Sequence, residues 1–201
     1  MRVLFKVLFL SMFSAGLASG QVVLDSDNSF ERDVVPPEIL AEATREVQTL
    51  GNEILKGNMK FAVEKMYPRF RKQAAKRFGG EAAVEAAVLK LFNELAEQGV
   101  DLIDFRAEPA VSGYHVPSHD EWLVFVPTVK TLRGVIPQNG KVVVVESRDF
   151  QVAVRSRKEG SEWTFINGSG LRVQELRQLF PTLPADKDVL GWPEVGGRVV
   201  K

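Results

Sequence analysis

An α+β fold, with N-terminal helices packed on a strongly bent antiparallel sheet of about four strands and a short C-terminal helix, is predicted by two features of the chain. Apolar residues recur every three or four positions over residues 37–98, which is helical spacing. They then alternate over residues 101–167, with turn residues between the runs, which is strand spacing. Helices followed by strands, rather than interleaved with them, give segregated layers instead of a parallel sheet.

Pro36-Pro37 suits a first helical turn, and Leu40, Ala43, Val47, Leu50 and Ile54 form one stripe on a helix of about 18 residues. Gly57-Asn58 breaks it, residues 59–66 resume helically, and Pro68 forces Tyr67 out of the helical region. Residues 69–78 form a further helix with Phe70, Ala74 and Phe78 stacked. After Gly79-Gly80, Val84, Ala87, Val88, Leu91, Phe92 and Leu95 make the buried face of another, stopped at Gly99. A first strand covers residues 101–108, a loop or long-turned hairpin 109–120, and a mostly apolar strand 121–132. Pro127 places that strand at an edge or a bulge.

Residues 141–168 are the organising hairpin. Val142 to Val145 read as a strand end buried on both faces. Phe150, Val152 and Val154 then share one face, with Asp149, Gln151, Ala153 and Arg155 on the other. The length of this strand predicts a bend or bulge. Gly160 turns the chain, and Trp163 and Phe165 return opposite the Phe150 face. Asn139-Gly140 joins this strand to the one before. A short helix over residues 171–180, capped by Ser169 or Gly170, follows; residues 181–201, rich in Pro and Gly, are expected to run over the surface, pinned by Trp192.

The ends and composition set the compartment. Residues 1–20 read as a secretory signal peptide: Arg2 and Lys6, an apolar stretch too short to span a bilayer, then Ala18-Ser19-Gly20, with cleavage after Gly20. Residues 21–36 read as a flexible tether and 37–180 as one domain. Cleavage leaves 24 basic against 26 acidic residues, a net charge of −2, which argues against nucleic acid as a partner. With no Cys and no further long apolar segment, the product is expected to be soluble, secreted or periplasmic, and not membrane-spanning.

The segment Leu55-Lys56-Gly57-Asn58-Met59-Lys60, the Tyr67-Pro68 pair and the strand Trp163-Thr164-Phe165-Ile166 carry a resemblance to the nuclear transport factor 2-like (cystatin-like cone) superfamily, over residues 37–168. Gly57-Asn58 stands where that superfamily usually has Gly-Asp, a difference in a cap rather than in chemistry. The resemblance implies a conical cavity between helices and sheet. Some members are isomerases or polyketide cyclases with an Asp or His in that cavity; many others only bind or assemble.

In such a cone Asp104 or Asp149 is the candidate general base, with Tyr67 as a hydrogen-bond donor. Tyr67, Phe92, Phe125, Phe150 and Trp163 are the expected pocket lining. A carboxylate on an outward strand face, paired with Arg106 or Arg148, is the structural alternative for either Asp. His115 and His119, beside Asp120 and Glu121, are the only metal-ligand candidates, but Pro117 between them removes the helical alignment. Arg69, Arg71, Lys72, Lys76 and Arg77 are either a solvated helix face or an anionic-surface contact. No nucleophile elbow, phosphate loop or Cys nucleophile is present. The expected function is a non-enzymatic exported domain binding a small apolar ligand or a protein partner, without cofactor. Its sheet carries apolar residues on both faces (Trp122, Val124 and Val126 opposite Leu123 and Phe125), so the outer face needs a cover from the C-terminal segment or a second copy. The alternative is an isomerase- or cyclase-type enzyme.

Overall fold

The computed structural model describes residues 35–136 and 140–200. The expected signal peptide, most of the tether and Asn139 lie outside these residues.

Four helices come first: α1 (Pro37–Leu55), α2 (Met59–Glu64), α3 (Pro68–Phe78) and α4 (Glu81–Glu97). Each break is where the chain supplies a reason for it. Gly57 takes φ +80°, and the Asn58 side chain then caps α2 by accepting from Phe61 N–H. Pro68 occupies the first turn of α3, where its missing N–H costs nothing. No helix among the described residues is long and apolar enough to cross a membrane.

Six strands follow: β1 (Asp101–Ala107), β2 (Ser112–Val116), β3 (Glu121–Ile136), β4 (Lys141–Ser156), β5 (Thr164–Asn167) and β6 (Gly196–Val199). The sheet is antiparallel, open and curved. Strands β3 and β4 pair along their whole length without a register break. Of the bend or bulge expected in β4, no bulge is present against β3; the register shift is in β1, between Leu102 and Asp104. Two short strands lie end to end on each side: β1 and β2 along β3, and β5 and β6 along β4.

That arrangement corrects the reading of Pro127. It lies in a central strand, paired with Phe150, and neither at an edge nor in a bulge. Its carbonyl accepts from Glu108 N–H, in the connection where β1 has ended and β2 has not begun. The nitrogen of the same residue faces the same side, so the missing donor falls in the gap between two partner strands.

Both faces of the sheet are covered by the chain itself. Ala43, Val47 and Leu50 of α1 pack on Phe105, Val124, Val126, Ala153, Trp163 and Phe165. The opposite face carries Tyr114, Leu123, Phe125, Phe150, Val152, Val154 and Ile166. Two short helices, α5 (Val173–Leu179) and α6 (Lys187–Leu190), cover it together with Leu183 and Trp192. Trp192 sits 5.0 Å from the Phe150 ring and 5.7 Å from Phe125. Residues 181–200 are thus not a surface tail: Leu183 and Leu190 are core residues, and β6 extends the sheet. The face offered for a homodimer is occupied by this segment. The cap of α5 is Arg172 with Glu175, not Ser169 or Gly170.

Two further expectations are corrected by register. Trp163 and Phe165 lie on the Ala153 face, because Phe165 pairs with Ala153 and it is Ile166 that joins Val152. A shift of one residue moves every side chain to the other face. Val142 is exposed and Val144 half-buried, since the far end of the hairpin projects past both covering layers.

Close approach of α1 to β1 requires Gly51. The Phe105 ring lies where its side chain would be, with Cδ1 1.9 Å from the position of a Cβ. Gly51→Ala is therefore expected to destabilise the protein by about 1–3 kcal/mol through overpacking, seen as a lower urea midpoint with an unchanged slope. A midpoint equal to the parent's would show that α1 shifts freely.

Candidate functional site

A cavity of about 280 Å³ lies between α2–α4 and the sheet. Its origin is a mismatch of lengths. Helix α1 covers the part of the helix-facing surface around Val124, Val126 and Ala153. Beyond that, the same face carries Lys130 and Leu132 on β3, and Ser147, Asp149 and Gln151 on β4. Helix α4 packs on α3 and α2 and spans this part at a distance. Its stripe of Ala87, Val88, Leu91, Phe92 and Leu95 is the predicted one, but these residues are only half-buried because they line the cavity. Only Val84 on this helix is fully buried.

The walls differ in chemistry. Ile54, Val63, Met66 and Phe70 join the α4 stripe to make the helical side apolar. The sheet side carries a polar strip: Lys130, Ser147, Asp149, Gln151, Asn167 and Ser169. The strip follows from strand alternation, since Ser147, Asp149 and Gln151 are spaced by two on β4. Lys130 pairs directly with Ser147 across the sheet, and Gln151 with Asn167.

Asp149 is the buried carboxylate of this strip, and both its oxygens are engaged. Oδ2 accepts from Lys130 Nζ at 3.0 Å, and Oδ1 from Phe150 N–H at 2.9 Å. Gln151 Nε2 donates to Asn167 Oδ1 at 3.4 Å, and the same oxygen accepts from Ser169 N–H at 3.2 Å. Beside Asp149, Thr128 Oγ1 is buried without a hydrogen-bond partner.

Of the catalytic, pocket and metal candidates named from the sequence, only Asp149 and Phe92 line the cavity. Asp104 is exposed, because Phe105 takes the inward position after the bulge. Phe125 and Phe150 belong to the core on the opposite face, and Trp163 packs under α1 with its indole N–H donating to Glu42 at 3.1 Å. Tyr67 is in the Phe125 core, stacked on Phe180 at 5.4 Å. Its hydroxyl donates to Glu121 at 3.0 Å and receives Arg69 at 3.3 Å.

Burial, and then the neighbouring Glu121 carboxylate, push the Tyr67 phenol well above its ordinary value of 10.0, against a smaller opposing effect of Arg69. The folded state thus keeps this proton where the unfolded chain loses it. Stability is full below pH 10.0 and falls as pH rises above it. Tyr67→Phe is expected to cost about 1 kcal/mol at neutral pH and to flatten that alkaline decline. Denaturant midpoints at about pH 8 and about pH 11 would check this; parallel declines in parent and variant would refute it.

The two histidines have different neighbours. His115 is in β2, its ring 5.4 Å from Trp122 and its Nε2 within 3.0 Å of Arg157 and 3.3 Å of Asp120. His119 is in the following turn, against Ser118 and the edge of Phe180. Among the described residues no three His, Cys, Asp or Glu side chains gather to hold an ion. The basic run is partly spent within the fold: Arg69 also donates to Leu179 C=O and lies over the Phe180 ring, and Arg71 pairs with Glu81.

Lys130, Ser147, Gln151, Asn167 and Ser169 were missed by sequence reasoning. The available signal was a lysine placed in the apolar run of β3, opposite a strand whose polar residues alternate. Neither a protein-family model nor a curated protein matches the chain.

Proposed function

We propose that this protein is a non-enzymatic binding domain that holds one small amphipathic molecule in the cavity between α2–α4 and the sheet. The observation that carries this reading is the division of the cavity into apolar helical walls and a polar strip on the sheet, the pattern of small-molecule pockets that bury a ligand's body and orient it by a few polar groups. The purely apolar ligand expected from the sequence would leave the strip's remaining donors without partners, at a cost in desolvation. Helices before strands, with a cavity between, also support the resemblance to the cystatin-like cone superfamily. Titration with N-phenylnaphthylamine, an uncharged apolar fluorophore, is expected to give saturable enhancement at one site per chain, displaced by a medium-chain alcohol. Absence of saturable binding would sink the reading.

We also propose that the chain acts after export, cleaved after Gly20. Intact mass of the secreted product would then begin at Gln21.

The isomerase- or cyclase-type alternative keeps one supporting observation, a carboxylate in the cavity wall. Against it, Asp149 must release Lys130 to accept a proton from a substrate. A β,γ-unsaturated ketone converted to its conjugated isomer by the parent, and not by Asp149→Asn, would establish that reading in place of simple binding.

A further inference from the structure

We propose that the molecule held in the cavity is an anionic amphiphile, a single-chain carboxylate whose head group sits on Lys130 Nζ and the Ser147 hydroxyl. This deepens the binding reading above and rests on it. The argument is a balance of hydrogen-bonding groups on the polar strip. Its one carboxylate is spent: Asp149 accepts from Lys130 on one oxygen and from Phe150 N–H on the other. The side-chain oxygen of Asn167 is also spent, since it accepts from Ser169 N–H and from Gln151. The backbone N–H fixes which end of this amide is the oxygen, so the Asn167 NH₂ is left as a donor.

Lys130 has three N–H groups and gives one to Asp149. Directly across the strand pair from it stands Ser147, so an ammonium and a hydroxyl present donors to the same space. The strip's remaining groups are then the donors of Lys130, Ser147 and Asn167 against one amide oxygen, that of Gln151, so its complement is a group made of acceptors. A carboxylate is such a group, and bonds from an ammonium to it are charge-assisted. Among the described residues Lys130 is the only cation lining the cavity, and Asp149 stands next to it. The two balance each other, so a carboxylate leaves the site with one net negative charge and a dianion would leave it with two, which holds the ligand to a single charge. The remainder of the ligand lies among Leu91, Phe92, Leu95 and Leu132, which require a hydrocarbon chain.

The test is isothermal titration of the full chain with decanoate and, separately, 1-decanol, which differ only at the head group. Decanoate is expected to bind about tenfold tighter, the value of one charge-assisted bond. Lengthening the chain by one methylene is expected to tighten binding about fourfold until the cavity is full. Asp149→Asn keeps the shape of the side chain and removes the competing carboxylate, so it is expected to raise the preference for decanoate over decanol. The double variant Lys130→Met, Asp149→Asn removes both charges together, leaves no buried charge unpaired, and is expected to erase the preference. Equal or tighter binding of decanol by the parent would overturn the anionic head group and leave the cavity reading standing. Binding of neither compound, with no site for the uncharged fluorophore, would overturn both.

Discussion

Ending the chain at Phe180 is expected to abolish cooperative folding. The removed segment includes Leu183 and Leu190, both fully buried, and Trp192, which covers Phe125 and Phe150. Truncating one buried leucine costs about 2–5 kcal/mol, and a domain has about 5–15 kcal/mol in all. Loss of two leucines and a tryptophan therefore consumes the whole margin. The segment also satisfies core polar groups: Tyr114 OH donates to Val189 C=O at 2.9 Å, and the Ser112 hydroxyl lies 3.2 Å from the Leu190 carbonyl. A chain ending at Pro193 makes the matching control. It loses β6 and the residues just before it, all exposed over 194–200, and is expected to keep a cooperative transition near the parent's midpoint. Circular dichroism through thermal and urea unfolding distinguishes the two. A sharp transition in the shorter chain, at the parent's midpoint, would show that the sheet face does not need its cover.

What could be read from the sequence, and what could not, divides along one physical line. The helices were legible because their stripes and their stops are local: Pro37, Gly57-Asn58, Pro68 and Gly79-Gly80 act on their own neighbours. The central hairpin was legible for the same reason. Which face of β4 points where is not local. Alternation separates Phe150, Val152 and Val154 from Asp149, Gln151 and Ala153, but the second set looks like a solvent face only if one side of the sheet is wet. Here both sides are buried, and the polar set lines a cavity. This single inversion placed Phe125 and Phe150 in the pocket and left Asp149 divided between a cavity base and an outward-facing strand residue. The tail was misread for a related reason. Pro and Gly mark a segment without long elements, but Leu183, Leu190 and Trp192 are enough to seat it on an apolar face that α5 covers only in part.

Filling the cavity is expected to remove binding without loss of stability. Val88 lines it from the middle of α4, and Val88→Trp would place an indole among Leu91, Phe92 and Leu132. In the parent, a ligand at about 100 times its Kd adds about 2.7 kcal/mol to folding, a rise of about 5–10 °C in Tm for a chain of this size. In the variant that rise should vanish, while Tm without ligand stays level or increases, because the indole buries apolar surface where the cavity left none in contact. Leu89→Trp is the control: the next residue on the same helix is exposed and does not line the cavity, so its ligand response should match the parent's. A retained rise in Val88→Trp would move the binding site elsewhere on the molecule. Equal loss in both variants would mean that α4 itself, rather than the space beneath it, governs the response, since the two substitutions are alike in chemistry and differ only in the face of α4 they occupy.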